Sequence, residues 1–196
     1  MKKYFILFLV FLTHSAIGQV ENIIGVATDT VSLPIATKKG NGLVSGLISF
    51  SSLSGELNTG FRDDPVSTVT FSPSYLYFIS DRLGFGAAMS FARISQRDIS
   101  VSSWGFGPQV SYYFDNGHTA IPYLGGSVNY ILIDDSRRKA NGLGVNLGGG
   151  ILFRKGHMGF AIQGGYQYEN VKKEDTAGRI SGGTRYLRFG FLGFIY

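Results

Sequence analysis

Three groups of residues in this 196-residue chain carry side chains able to do chemistry. Histidine comes first. Beyond residue 18 the chain holds His118 and His157, each inside a short polar run, Asp115-Asn116-Gly117-His118 and Arg154-Lys155-Gly156-His157. An imidazole activates a serine only from within hydrogen-bond reach of it. Both runs read as tight turns in water, so both histidines read as ordinary turn residues. A metal site at either would need further ligands, and only Asp115 is close in sequence.

Clustered charge comes second. Asp134, Asp135, Arg137, Arg138 and Lys139 form one cluster; Glu169, Lys172, Lys173, Glu174, Asp175 and Arg179 form another. Asp134-Asp135 offers too few oxygens for calcium, which takes roughly six or more. Arg137, Arg138 and Lys139 are candidates to hold phosphate through charge-assisted hydrogen bonds. The plainer reading is two solvated loops. Arg188 is the third group, a single charge inside the apolar run that closes the chain. The triple glycine at 148–150 lacks the Lys-Ser/Thr of a phosphate-binding loop. Cysteine is absent, which removes disulfides, thiolate metal sites, a cysteine nucleophile and a lipidated cysteine. No cofactor is implied.

The elements that must position these groups read most plainly in residues 101–133. Successive strand side chains point to opposite faces. Trp104, Phe106, Pro108, Val110, Tyr112 and Phe114 then share one face, and Ser103, Gly105, Gly107, Gln109 and Ser111 share the other. After the turn at 115–118, Leu124, Val128 and Tyr130 repeat the bulky track; Gly125, Ser127 and Asn129 repeat the slender one. A soluble sandwich would bury the bulky face. A membrane barrel shows it to lipid and turns the slender face inward.

The same alternation recurs at about 43–53, 67–79, 83–94, 142–153, 158–168 and 185–196. The bulky tracks, Leu187-Phe189-Phe191 for example, hold no Asp, Glu, Lys or Arg. A charge facing lipid near the midplane costs roughly 2–4 kcal/mol, and its absence is what that penalty produces. Only 16% of the chain is charged, against about a quarter in a soluble domain. These patterns predict an all-β chain: an eight-stranded antiparallel up-and-down transmembrane β-barrel over 42–196. Short turns at 80–82, 115–118 and 154–157 alternate with longer charged connections at 54–66, 95–100, 134–141 and 169–184. That asymmetry predicts periplasmic turns and extracellular loops. Pro73, Pro108 and Pro122 fall on the lipid track, where bulges are the expected accommodation.

Residues 1–18 read as a cleaved secretory signal, with Lys2 and Lys3, an apolar core from Tyr4 to Leu12, and Ala16-Ile17-Gly18 at the cleavage site. Residues 19–41 read as an N-terminal tail; an arm or a plug are the alternatives. Losing Lys2 and Lys3 lowers the net charge from +5 to +3, which gives no argument for nucleic acid.

The phrases FSPSYLYFISDRLGFGAAMSF (71–91), FGPQVSYYFDNG (106–117), IPYLGGSVNY (121–130) and LRFGFLGFIY (187–196) resemble the small outer-membrane β-barrel proteins of Bacteroidota. The resemblance covers about 42–196 and implies the cell outer membrane. It also implies handling by the barrel assembly machinery; outer-membrane lipid is the expected surrounding of such a barrel, lipopolysaccharide the expected partner of its basic rim, and a monomer the expected state. Such chains end on a lipid-facing aromatic, whereas Tyr196 falls on the inward parity; a bulge in the last strand or Tyr196 itself would answer for the signal. Lipid A deacylases of similar size use a His/Ser/Glu arrangement on the outer half of the barrel. Here both histidines fall in the inner turns, so no catalysis is expected.

Arg188 is then the one charge expected inside the barrel, with Gln109, Gln163, Tyr123 or water as partners. It reads either as an anion-attracting constriction or, preferred on sequence alone, as a structural hydrogen-bond hub. The function expected is a structural or surface role through the outer loops. A narrow channel and a secreted lipid-binding barrel are the alternatives. The secreted barrel would require Phe106, Leu147 and Phe189 inside and Ser72, Gln109 and Gln163 outside.

Overall fold

The computed structural model describes residues 36–53, 66–96, 99–115, 117–135, 138–173 and 179–196. Leu33–Tyr196 forms one compact unit; a second, Met1–Ser32, lies outside the described residues, as does the expected signal at 1–18.

Eight strands form in sequence order: β1 (Gly42–Leu53), β2 (Val66–Ser80), β3 (Leu83–Gln96), β4 (Ile99–Tyr113), β5 (Ala120–Asp135), β6 (Arg138–Lys155), β7 (Met158–Lys173) and β8 (Arg179–Ile195). They close into one antiparallel barrel, each strand beside its neighbour in sequence. β1 seals against β8 from Gly42 opposite Ile195 to Ile48 opposite Phe189. Beyond Ile48 and Phe189 no pairing joins these two strands among the described residues, so the seam is sealed along the half of the barrel that holds Gly42 and Ile195; pairing the strand edges is what a sheet in hydrocarbon requires.

The sidedness is that of a membrane barrel. Phe106, Leu147 and Phe189 are exposed on the outer wall, while Ser72 is buried and Gln109 and Gln163 are half-buried inside. The secreted, lipocalin-like alternative is thereby excluded. Outer aromatics pack edge-on or tilted across strands, Phe91 with Trp104 at 4.7 Å between centroids and Phe106 with Tyr130 at 5.7 Å.

Two expectations fail, and a third reading keeps only one of its two alternatives. The prolines make no bulges. Pro73 stays opposite Gly46, Pro108 opposite Ala87 and Pro122 opposite Ile151, with the register unchanged on either side. A proline forfeits one ladder hydrogen bond but adds no residue, so the count is not forced to shift. The shift in the β2–β3 pairing lies instead between Phe78 and Ser80, beside the Asp81-Arg82 turn, where Arg82 adopts φ 71°.

Of the four long charged connections, 54–65 lies outside the described residues, and what is described of the other three is strand. β3 and β4 leave only 97–98 between them, and β5 and β6 leave only 136–137. Asp134 stands opposite Lys139 and Asp135 opposite Arg138. Charge on its own marks a loop as readily as a strand, and opposite charges in register support a ladder that has left the apolar layer. The longer strands also carry charge on the outer track. Arg93, Asp134, Lys172, Arg179 and Arg185 are exposed there, all at the end away from the barrel's own termini, Gly42 and Ile195.

Third, β8 carries no bulge: its register with β7 runs one for one from Arg179 to Gly193, and Tyr196 follows the strand on the inward parity.

Candidate functional site

The inward track changes character along the barrel. At the end that holds the termini it is apolar. Leu43, Leu76, Phe78, Tyr113, Ile121, Tyr123, Leu152, Leu192 and Phe194 are buried in one cluster. Phe78 meets Tyr113 edge-on at 5.6 Å, and Tyr113 stacks on Tyr123 at 5.3 Å. Large rings from several strands meet at the axis and fill the small bore of an eight-stranded barrel.

Residues 36–41 lie across this end. Thr37 O accepts from Arg82 N at 2.7 Å, Gly40 N donates to Phe78 O at 2.9 Å, and Asn41 O accepts from Phe78 N at 2.9 Å. Lys39 N donates to Asp81 Oδ1 at 3.0 Å. Asp115 fixes the segment. Its Oδ2 accepts from Ala36 N at 3.1 Å, Thr37 N at 3.4 Å and Thr37 Oγ1 at 3.1 Å, and its Oδ1 accepts from Gly117 N at 2.9 Å. The carboxylate is 0% exposed. Multiple N–H donors are what a buried anion requires in place of water. Nearby, buried Arg154 donates from Nη2 to Tyr196 Oη at 3.0 Å and from Nε to Gly156 O at 3.0 Å, with its guanidinium over Phe194. The last residue of the chain thus holds an interior arginine.

Toward the middle the inward track turns polar. Ser45 and Ser74 share a hydrogen bond at 2.6 Å, and Ser72, Gln109, Ser127 and Gln163 line a small cavity of 60 Å³. Above it a larger cavity of 310 Å³ extends toward the far end, lined by Thr68, Thr70, Ser103, Glu169, Thr184 and Tyr186 among others. Four residues border both cavities: Ser90, Asn129, Gln167 and Arg188.

Arg188 is inside, 7% exposed. Its partners differ from the expected set. Nη2 donates to Gln167 Oε1 at 3.2 Å, and the guanidinium lies 4.0 Å from the centre of the Tyr186 ring. Stacking on a ring suits a planar, weakly hydrated cation. Gln167 passes the contact on, its Nε2 donating to Glu169 Oε1. Glu169 is therefore an inward carboxylate, placed in a loop by its charge and in β7 by the structure. Tyr186 donates to Asn146 Oδ1, and its phenol occupies the gap left by Gly148 and Gly165; a Cβ on either glycine would overlap it. Tyr186 was legible from parity alone, two residues before Arg188 on the same track.

The other sequence candidates are not gathered here. Arg137 lies outside the described residues. Arg138 and Lys139 open β6 at the far end. His118 and His157 are exposed at the opposite end, His157 packing on Tyr196 at 4.7 Å. Among the described residues no group of three or more His, Asp or Glu is placed to hold a metal.

The outward grease, the closed ladder and the polar upper bore decide the class. The chain is an outer-membrane β-barrel. Its backbone is similar to Neisserial surface protein A, with a TM-score of 0.52 and 18% identity over 79% of this chain and 97% of that one. The outer membrane protein OprG of Pseudomonas aeruginosa aligns over 83% of this chain and all of that one, at TM-score 0.46 and 14% identity. The outer membrane enzyme PagL aligns over 79% of this chain and 99% of that one, at TM-score 0.38 and 10% identity. At 18% identity the likeness to Neisserial surface protein A carries the fold alone. No protein-family model and no curated sequence matches the barrel.

Proposed function

We propose that the barrel is a non-conducting, non-catalytic outer-membrane protein of the Bacteroidota type. It acts as a monomer, by surface contact at the end away from its termini. The observation that carries this reading is the apolar floor from Leu43 to Phe194, pinned beneath by Asp115. A continuous water path through the bore would have to cross buried rings. The start of β1, the end of β8 and the three turns at 81–82, 114–119 and 156–157 share one end, which this reading places in the periplasm.

The absence of catalysis is supported by the placement of His118 and His157, exposed and remote from the polar bore. Contact with lipopolysaccharide phosphate is supported by the outer rim. Lys172 stands opposite Arg179 on the outward track, both exposed, and like charges in register destabilise a ladder unless an anion lies between them. Arg93 and Arg185 add to the same rim.

Reconstitution in planar bilayers tests the main claim. The expected trace is flat; discrete, stepwise openings of the intact protein would overturn it in favour of a narrow channel. For the rim, lipid A should slow unfolding of the wild-type barrel more than that of Lys172→Gln. Equal slowing of both removes the phosphate contact.

A further inference from the structure

A hydrogen-bond hub that served structure alone would satisfy its own members. The layer between the two cavities does not. Arg188 Nε is buried and has no hydrogen-bond partner among the described residues, and Asn129 Oδ1 is in the same position. Arg188 is 7% and Asn129 8% exposed. Neither can be dismissed as a surface group that bulk water serves. One is an unused donor on a cation, the other an unused acceptor. Both line the 310 Å³ cavity. Leaving such groups unpaired costs about 1–3 kcal/mol each, more where one is charged.

Among the described residues the cation also has no direct counter-charge. Arg188 donates to a neutral amide, Gln167, and rests on the neutral Tyr186 ring. The carboxylate on the cavity wall, Glu169, is reached only through Gln167 Nε2. A bore with a half-used guanidinium and a free amide oxygen is chemically specified. It accepts a small group that offers an anionic oxygen to Arg188 and a proton to Asn129.

We propose that the outer cavity is a binding site for a small protonated oxyanion, of which inorganic phosphate is the type. At neutral pH phosphate keeps at least one O–H beside its charged oxygens. Sulfate has the same tetrahedral shape and the charge of the phosphate dianion, without that proton. Asn129 thus sets the choice between them, while Arg188 supplies the attraction. The Ser90 hydroxyl and Gln167 sit in the same layer and complete a polar collar. The site lies inside the bore, so it does not depend on the surface role argued above.

The test is calorimetric titration of the refolded full-length barrel with inorganic phosphate, and separately with sulfate. Heat-modifiable migration of each variant on a cold gel checks folding. The expected result is saturable phosphate binding, weakened about tenfold or more by Arg188→Gln, the loss that one charged hydrogen bond carries. Sulfate should bind about tenfold more weakly than phosphate to the wild type, and Asn129→Leu should erase that difference. Glu169→Gln should tighten binding, since it removes a like charge. As a second measurement, the Arg188 Nε nitrogen resonance should shift on adding phosphate and stay still on adding sodium chloride. Absence of saturable binding to the folded wild-type protein would overturn the proposal. So would binding that Arg188→Gln and Asn129→Leu both leave unchanged, or equal affinity for sulfate and phosphate.

Discussion

The two ends of the bore are built from the same eight strands and the same alternation, yet they solve opposite problems. At the termini end the inward side chains are Leu43, Phe78, Ile121 and Phe194, all buried in one apolar cluster. At the far end they are Thr70, Ser103, Glu169 and Thr184, around a cavity of 310 Å³. One end is sealed by burial of apolar area; the other is held by polar contacts that leave room. The boundary is Arg188, whose ring partner Tyr186 needs the space above Gly148 and Gly165. Strand geometry decides which residues look inward. It does not decide whether the interior is full.

The sharpest way to break this contrast is to hollow the sealed end. Phe78→Ala removes a fully buried ring and should cost about 3–5 kcal/mol of unfolding free energy in urea. Ser103→Ala on the far wall should stay within about 0.5 kcal/mol. If the two cost the same, the termini end is not the packed core described here. The outer wall gives the next effect. Leu147→Arg places a charge at the centre of β6 on the lipid face and should cost roughly 2–4 kcal/mol in bilayers. Arg93 and Arg185 are tolerated on that face because they sit where strands leave the apolar layer. A Leu147→Arg protein as stable as wild type would misplace the membrane.

Smaller, but local, is the Asp115 anchor. Asp115→Ala leaves Ala36 N and Thr37 N without their acceptor and should cost about 2–3 kcal/mol. It should also speed proteolytic cleavage at Lys38 and Lys39, with the strands still protected. Unaltered cleavage would mean that other contacts suffice to hold the segment. The least effect belongs to the far rim. Asp134→Lys sets two lysines opposite each other at the Lys139 register and should cost roughly 0.2–1 kcal/mol, more at low salt than at high.

Much of this was legible in the residues. The class of fold, the strand count and the outward faces followed from period-two alternation and from the missing charges of the bulky tracks. The same reasoning misplaced the far strand ends, because it took Asp134, Lys139 and Glu169 as marks of loop. A charge forbids lipid, not a strand; the ladder continues past the apolar layer with opposite charges in register, Asp134 facing Lys139 and Asp135 facing Arg138. The prolines misled for a related reason, since a missing donor was taken for an extra residue.

By itself the chain determined sidedness, because each side chain's direction depends only on its parity in a strand. The tertiary structure alone decided what happens on the axis. Which of the inward residues meet, and whether they close or leave a cavity, depends on the stagger between strands that are distant in sequence. Asp115 and Thr37 stand 78 residues apart and share a hydrogen bond. Gln167 links Arg188 to Glu169 across two strands. No local pattern records such meetings, and the sealed floor and the open collar both arise from them.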